Sequence, residues 1–352
     1  MKKGAGGRKW MQAKAERRDI RMAYRMILGR NPNEQEFERL LEKGLSVWEL
    51  RSQILNSQEF GQAPNATVAA SRMKASFGRQ KPRLRDMSER RVIYLHIPKC
   101  GGTTMHGLLT QWYGKENVHS ERFNRLYHAP AADLAHSLVF SGHYDFYSTQ
   151  FVPGNTFRLS FLRDPMERLI SLYHFHRAHS PEIVERNNLV LARWAQENDI
   201  DAYFSDERVR AHASIDNTMA RHFSNIPQVP HAGLGDISDR HASIEQMYVQ
   251  AKANIELFDL VGFMDLYDES VGLLADMLNK PTIDEIRSEQ VLDDLMERGV
   301  GIRRIERQSP SKAILEQMEE LVSYDRKVYD AAERVFRPRI EMHSAKRRSG
   351  EI

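Results

Sequence analysis

Residues 92–109, VIYLHIPKCGGTTMHGLL, constrain the chain more than any other stretch. An apolar run of strand length is stopped by Pro98, and Gly101-Gly102 lets the backbone turn before Thr103 and Thr104 open an amphipathic helix. A strand feeding a helix through such a turn aims successive backbone N–H groups and the helix N-terminus at one point, a cradle for phosphate. Lys99 adds a positive charge beside it, and the two threonines add hydroxyl donors. The order is not that of a Walker A loop, in which the lysine follows the last glycine; here Lys99 precedes both.

From residue 91 onward, short apolar runs alternate with helical ones. Strands are expected at 92–97, 138–141, 156–162 and 260–263, and helices at 103–112, 165–178, 241–257, 267–279 and 310–336. Strands separated by helices predict an α/β fold with a P-loop-like central parallel sheet flanked by helices. A second strand-to-helix junction lies in residues 158–177, RLSFLRDPMERLISLYHFHR. Asp164 is an N-cap, Pro165 suits the first helical position, and Glu167 would complete a capping box. Arg163, at the strand end, is free to fork onto a phosphate, and Ser171 lies two turns into the helix. Arg168 reads as a surface or salt-bridge arginine as readily as a ligand.

Between the junctions, His143 in LVFSGHYDFY follows a short strand, where a side chain can project into a cleft at the C-terminal edge of the sheet. A histidine near its unperturbed pKa suits general-base work, and Asp145 could orient it or do the job itself. His96 and His106 flank the loop and are expected to pack or to bind backbone. His174 and His176 fall on different faces of their helix, and no spacing suggests a metal site.

Composition narrows the rest. With 41% hydrophobic and 28% charged residues the chain is globular in make-up, and no apolar run approaches the ~20 residues of a membrane span. A single cysteine excludes an internal disulfide framework. The basic N-terminus lacks the apolar segment of a secretory signal, so a cytoplasmic location is expected. The net charge is only +3, and basic residues cluster in 72–91 and 346–348 without aromatics interleaved in the manner of a single-strand stacking platform. That argues against nucleic acid and leaves peripheral contact with anionic surfaces as the use for the basic segments. The expected organisation is a basic tail over 1–16, a helical module over 17–62, a basic linker over 63–90, the α/β domain over 91–338 and a basic tail over 339–352.

In the module, Ile20, Ala23, Tyr24, Ile27 and Leu28 recur at helical spacing, and Asn33 with Glu36 and Ser46 with Glu49 read as capping boxes. Its Ala23, Tyr24, Leu28, Gly29, Arg30, Pro32, Gly44, Ser57, Glu59 and Phe60 resemble the small helical repeat known as the DUF4214 domain, found in bacterial surface-polysaccharide proteins. A docking or stability role, or self-association, is expected of it.

The larger region resembles the sulfotransferases that use 3′-phosphoadenosine 5′-phosphosulfate (PAPS), discontinuously over residues 91–336. The first junction is similar to their 5′-phosphosulfate loop in the HIPKxGGT[ST] form of carbohydrate-modifying members. By that resemblance Pro98, Lys99, Cys100, Gly101, Gly102, Thr103 and Thr104 bind the nucleotide, Cys100 through its backbone amide because many relatives have threonine there. Lys99 would stabilise the leaving 5′-phosphate. The second junction resembles the 3′-phosphate element RDPxxRxxSxY, which gives that phosphate to Arg163 and Ser171. The Gly-His at His143 is similar to that of uronyl 2-O-sulfotransferases, where it is the base. Residues 215–224 resemble a segment near the cleft, with Asn217 and Arg221 toward the acceptor. Arg303, Arg304 and Ser309 fall where relatives close over the nucleotide, and 324–336 resembles the closing helix. The resemblance implies sulfuryl transfer from PAPS to a carbohydrate hydroxyl, with a bacterial surface polysaccharide or oligosaccharide as acceptor and no metal. A P-loop nucleotide kinase and a non-catalytic nucleotide-binding protein are the competing readings.

Overall fold

The computed structural model describes residues 14–24, 28, 31–55, 57, 89–226, 243–281 and 301–351. The chain divides into two compact units, residues 1–81 with 231–237, and residues 82–230 with 238–352. Apart from Glu89 and Arg90, the expected linker 63–90 lies outside the described residues, as do Gly29, Arg30, Glu59 and Phe60 of the module's signature.

Among the described residues the smaller unit holds three helices, α1 (Arg17–Ala23), α2 (Glu34–Glu42) and α3 (Val47–Leu55). Ile20, Tyr24, Phe37, Leu40, Leu50 and Ile54 form its core. Both capping boxes are present: Glu36 N–H donates to Asn33 Oδ1 at 2.9 Å while Asn33 N–H donates back to the Glu36 carboxylate at 2.8 Å. Ser46 and Glu49 make the equivalent pair at 2.8 and 3.3 Å. Each box satisfies N–H groups that the first helical turn leaves without partners.

The larger unit is built on four parallel strands, β1 (Arg91–Leu95), β2 (Val139–Gly142), β3 (Thr156–Leu162) and β4 (Leu260–Phe263), in the order β2-β1-β3-β4. Nearly every strand residue is buried, as a parallel sheet covered by helices requires. Around it lie α4 (Gly102–Tyr113), α5 (Pro165–Ala178), α6 (Val190–Glu197), α7 (Thr218–Phe223), α8 (Ile244–Ile255), α9 (Tyr267–Met277) and α10 (Lys312–Ser349). The chain leaves β1 for β2 on one side and returns to β3 on the other. The carboxyl ends of β1, β2 and β3 therefore flank a topological switch point, where open α/β sheets form a crevice.

Helix α10 overruns the expected end at residue 336, passing Pro338 to reach Ser349. Ile340 continues its buried stripe, and His343 Nε2 meets Asp276 Oδ2 on α9 at 2.6 Å, so the helix packs as far as residue 343 and leaves its basic end, 345–349, exposed. The segment from 181 to 223, to which the sequence assigned no helix bounds, folds into short helices, among them α6 and α7. Among the described residues no helix is long and apolar enough to cross a membrane.

Candidate active site

At the first junction, Lys99 and Gly101 both take left-handed backbone conformations, with φ of 72° each. For Lys99 this is an uncommon and costly state held by its surroundings. The Tyr94 hydroxyl donates to the Cys100 carbonyl at 3.2 Å and Cys100 N–H donates to Ile97 O at 3.2 Å, which ties the loop down from below. Gly102 has no room for a side chain: a Cβ would lie 1.8 Å from Cε1 and Nε2 of His96. The ring of His96 passes directly under the turn, and only glycine lets the helix start there. Helix α4 then begins with no side-chain cap and no acidic residue in its first turn. Its leading N–H groups are left for a ligand.

Pro98, Lys99, Gly101, Gly102, Thr103 and Thr104 line a cavity of about 1020 Å³. Cys100 does not line it. Its side chain belongs to the central core, its amide is already engaged, and burial pushes its thiol up to about 12. The amide contact expected of it is thus occupied by Ile97 in this structure. Lys99 Nζ rests 3.9 Å from the ring centroid of Phe175, a cation–π contact. Burial first, and the Arg163 charge second, bring the Lys99 ammonium down to about 8.

The second junction is organised differently. Asp164 Oδ1 accepts from the N–H groups of Met166 and Glu167 at 2.9 and 3.0 Å, so helix α5 arrives with its N-terminus already capped. The reciprocal half of the expected capping box is missing. Glu167 turns instead to Arg163, whose Nε donates to it at 3.1 Å. Arg163, its side chain one-third exposed at 33%, lines the cavity with Ser171. Arg168 is fully buried and donates to Ser214 O at 3.2 Å and Thr218 Oγ1 at 3.1 Å, with Asp325 as its nearby countercharge. It is an internal brace between α5, the 214–218 segment and α10, not a surface arginine.

His143 follows the last residue of β2. Its backbone N–H donates to Arg122 O at 2.8 Å and its Nδ1 lies 3.2 Å from His96 O. A carbonyl only accepts, so the hydrogen-bond pattern assigns the proton to Nδ1 and leaves the lone pair on Nε2. Among the described residues Nε2 has no hydrogen-bond partner, and His143 lines the cavity. Its ring stacks on His96 with centroids 4.3 Å apart. Burial lowers its pKa to about 4, and the charges of Arg122 and Lys99 push the same way against the opposing His96 carbonyl. The group is neutral near pH 7.

Asp145 does not support His143. Its Oδ1 caps Ser148 N–H at 2.7 Å, its Oδ2 accepts from Asn124 at 2.8 Å, and it is absent from the cavity wall. Asn217 and Arg221 are also turned away. Asn217 is buried in a left-handed turn and its Oδ1 accepts from the N–H of Tyr324 at 2.8 Å, while Arg221 pairs with Asp216. Arg303 and Arg304 line a separate pocket of about 280 Å³ with Arg177, and of that segment Ile302 and Arg307 reach the main cavity.

The cavity includes residues that the sequence did not assign to it, notably Phe175 and His176 on α5, His179 just past its end, and Met264 and Tyr267 by the sheet edge. Phe175 and His179 could have been found, because they follow Ser171 at intervals of four residues; His176 falls off that spacing. Met264 and Tyr267 carry no such signal: they are brought in only when β4 is placed beside β3. Among the described residues no group of three histidines, cysteines or carboxylates is placed to hold a metal.

Two motifs distant in sequence thus meet at one crevice, one offering backbone N–H groups and a lysine, the other an arginine and a serine. No curated protein matches the chain. The model of the Sulfotransferase family matches residues 83–330, well over half of its length and both junctions with it, and the chain belongs to that family.

Proposed function

We propose that the protein transfers a sulfuryl group from PAPS to a hydroxyl of a carbohydrate, by in-line displacement. The observation that carries this reading is the convergence of the uncapped α4 N-terminus, Lys99, Arg163, Ser171 and the neutral His143 on a single cavity. The cradle fits a phosphosulfate: bulk is excluded at Gly102 and the N-terminal donors of α4 are uncommitted.

In the proposed reaction His143 Nε2 takes the acceptor proton as the acceptor oxygen bonds to sulfur, and the bond between sulfur and the bridging oxygen breaks. Lys99 and the α4 amides meet the charge that develops on the departing 5′-phosphate. Arg163 and Ser171 hold the 3′-phosphate; Glu167 takes only the arginine's Nε–H, which leaves the Nη groups for it. A pKa of about 4 would make His143 a weak base, but its neighbours Arg122 and Lys99 hold it there along with burial. Anionic nucleotide beside Lys99 offsets that repulsion and raises the pKa toward the range a base needs.

A carbohydrate acceptor is supported by the likeness of HIPKCGGTT and Gly142-His143 to glycan-modifying sulfotransferases, and the DUF4214-like segment leans the same way. The lone buried Cys100 suits a reducing, cytoplasmic setting. The test is incubation of the purified protein with radiolabelled PAPS and an array of neutral and acidic glycans. Label on a glycan is expected from the wild type and not from His143→Ala. Label on no acceptor, with PAPS left intact and unbound, would overturn the reading.

A further inference from the structure

Lys99 carries a charge with no acid beside it. Among the described residues its ammonium makes no hydrogen bond or ion pair, and the contact that favours its charge is the ring of Phe175, with Nζ 3.9 Å from the centroid. Arg163, just past β3, is a second cation, and the Cys100 thiol of the same loop is pushed up to about 12 and stays neutral. His96 and His143 feel the Lys99 charge from the ends of β1 and β2, and His176 and His179 from the last turn of α5 and just past it. Burial lowers all four histidines, so they too are neutral near pH 7. A lysine this enclosed normally finds a carboxylate.

Helix α5 brings the ring there. Phe175 follows Ser171 by four residues, so the two share one face, and both line the cavity with Lys99. His179 braces the ring: their planes are 76° apart with centroids at 4.6 Å, and His179 Nδ1 lies 2.8 Å from Phe175 O. The helix end is fixed in turn, with Ser180 N–H donating to Gly301 O and Arg303 N–H to Ala178 O, both at 2.6 Å. Phe175 itself is only partly buried. Arg163 shows the other way to hold a cation: its partner is the Glu167 carboxylate at 3.1 Å. A guanidinium keeps its charge with or without that partner, whereas the Lys99 ammonium, lowered to about 8, can lose its own. A ring face favours the ammonium over the amine and brings no charge of its own.

Building on the sulfotransferase reading, we propose that Phe175 is a positioning residue: its ring stands behind the Lys99 ammonium, keeping it charged and steady while its other hydrogens meet the phosphosulfate. The ammonium has three donors, and a ring over one side leaves the others for oxygen. A neutral partner suits a group that must offset the charge developing on the leaving 5′-phosphate, because a carboxylate in its place would cancel the positive charge at that point. The ring acts through Lys99, so its effect follows the titration of that one side chain.

The experiment compares wild type, Phe175→Leu and Phe175→Tyr, with Phe175→Met in place of the leucine should that variant not fold. The Lys99 signal in lysine-labelled protein, identified by its loss in Lys99→Arg, is titrated by NMR without nucleotide. Wild type should titrate at about pH 8 and Phe175→Leu about 0.5–1 pH unit lower. Phe175→Tyr should follow wild type, because the ring is kept. No shift in Phe175→Leu, or a shift upward, would overturn the proposal. The second measurement is the affinity for the product nucleotide, 3′-phosphoadenosine 5′-phosphate (PAP), against pH. Phe175→Leu should bind PAP within about twofold of wild type at about pH 6 and lose affinity earlier as the pH rises. An equal loss at every pH would make Phe175 a direct ligand or a structural prop and overturn the proposal. So would tighter binding at about pH 6, which would show the ligand pulling the ammonium off the ring. Wild type that binds no PAP at any pH would sink the sulfotransferase reading and the proposal with it. The titration without nucleotide tells that failure from a failure of the ring contact alone.

Discussion

The two strand-to-helix junctions look alike in outline and work in opposite ways. At β1–α4 the helix begins without a cap, behind two left-handed residues, over a histidine ring that forbids a side chain at Gly102. At β3–α5 the helix begins with Pro165 and an Asp164 carboxylate that has already taken two of its N–H groups. The first junction keeps its backbone for the ligand; the second has used its backbone and can offer only side chains. In the proposed reading, an anion bridging both would be held by main-chain donors and a lysine at one end and by a guanidinium and a hydroxyl at the other. The first end tolerates almost no change of shape, and the second almost no change of charge.

His143 hangs from the first junction through the His96 carbonyl but makes no phosphate contact in this scheme. His143→Ala should therefore cost about 10²–10⁴ in kcat with PAP affinity unchanged. An equal loss of PAP affinity would mean that the base and the cradle are not separable, which would break the division.

Next come the charges. Lys99→Ala and Arg163→Ala each remove a charge-assisted phosphate contact and should weaken PAP binding by roughly 1.5–3 kcal/mol, measured by calorimetry. The two differ in pH dependence. The Lys99 ammonium, lowered to about 8, is charged below that pH and neutral above it in the free protein. Anionic nucleotide binds the charged form, so affinity should be level below pH 8 and fall above it, by at most about tenfold per pH unit. Lys99→Arg should flatten that fall, because a guanidinium does not titrate there. A fall that persists in Lys99→Arg would assign it elsewhere.

Shape is the next test. Gly102→Ala drives a methyl group into His96 and should destabilise the fold by about 1–3 kcal/mol while reducing nucleotide binding. Gly107→Ala, on the same helix with nothing within 4 Å of its added carbon, is the control and should be neutral or slightly stabilising. Smallest of all, Asp164→Ala removes the α5 cap and should cost about 0.5–2 kcal/mol in urea denaturation. Because those N–H groups then become available, its effect on PAP affinity should be much less than that of Arg163→Ala.

Much of this was legible in the sequence because the informative features are local. Residues 92–109 carry a strand, a breaker, two glycines and a helix start in order, and β3, β4 and α5 lie where short-range pattern puts them. What the sequence hid depends on choices between partners that a pattern leaves equal. Glu167 has the right spacing for a capping box, yet the arginine four residues before it draws it away. Asp145 stands two residues from His143, but on a turn leaving a strand that distance points its carboxylate to Asn124 and Ser148. Asn217 and Arg168 look like site residues by type and are internal braces by burial. The continuation of α10 past Pro338 rests on a single buried isoleucine and the His343–Asp276 contact with α9, neither of which has a local signature.

The central claim is that the two junctions form one site for a nucleotide phosphorylated at both ends. It is tested most directly by comparing the melting temperature of the wild-type protein with PAP, ADP and ATP, each at saturating concentration. PAP at about 100 times its dissociation constant should add roughly 2.7 kcal/mol of stability, with little response to ADP or ATP. Equal stabilisation by ADP or ATP, or no response to PAP, would contradict the account.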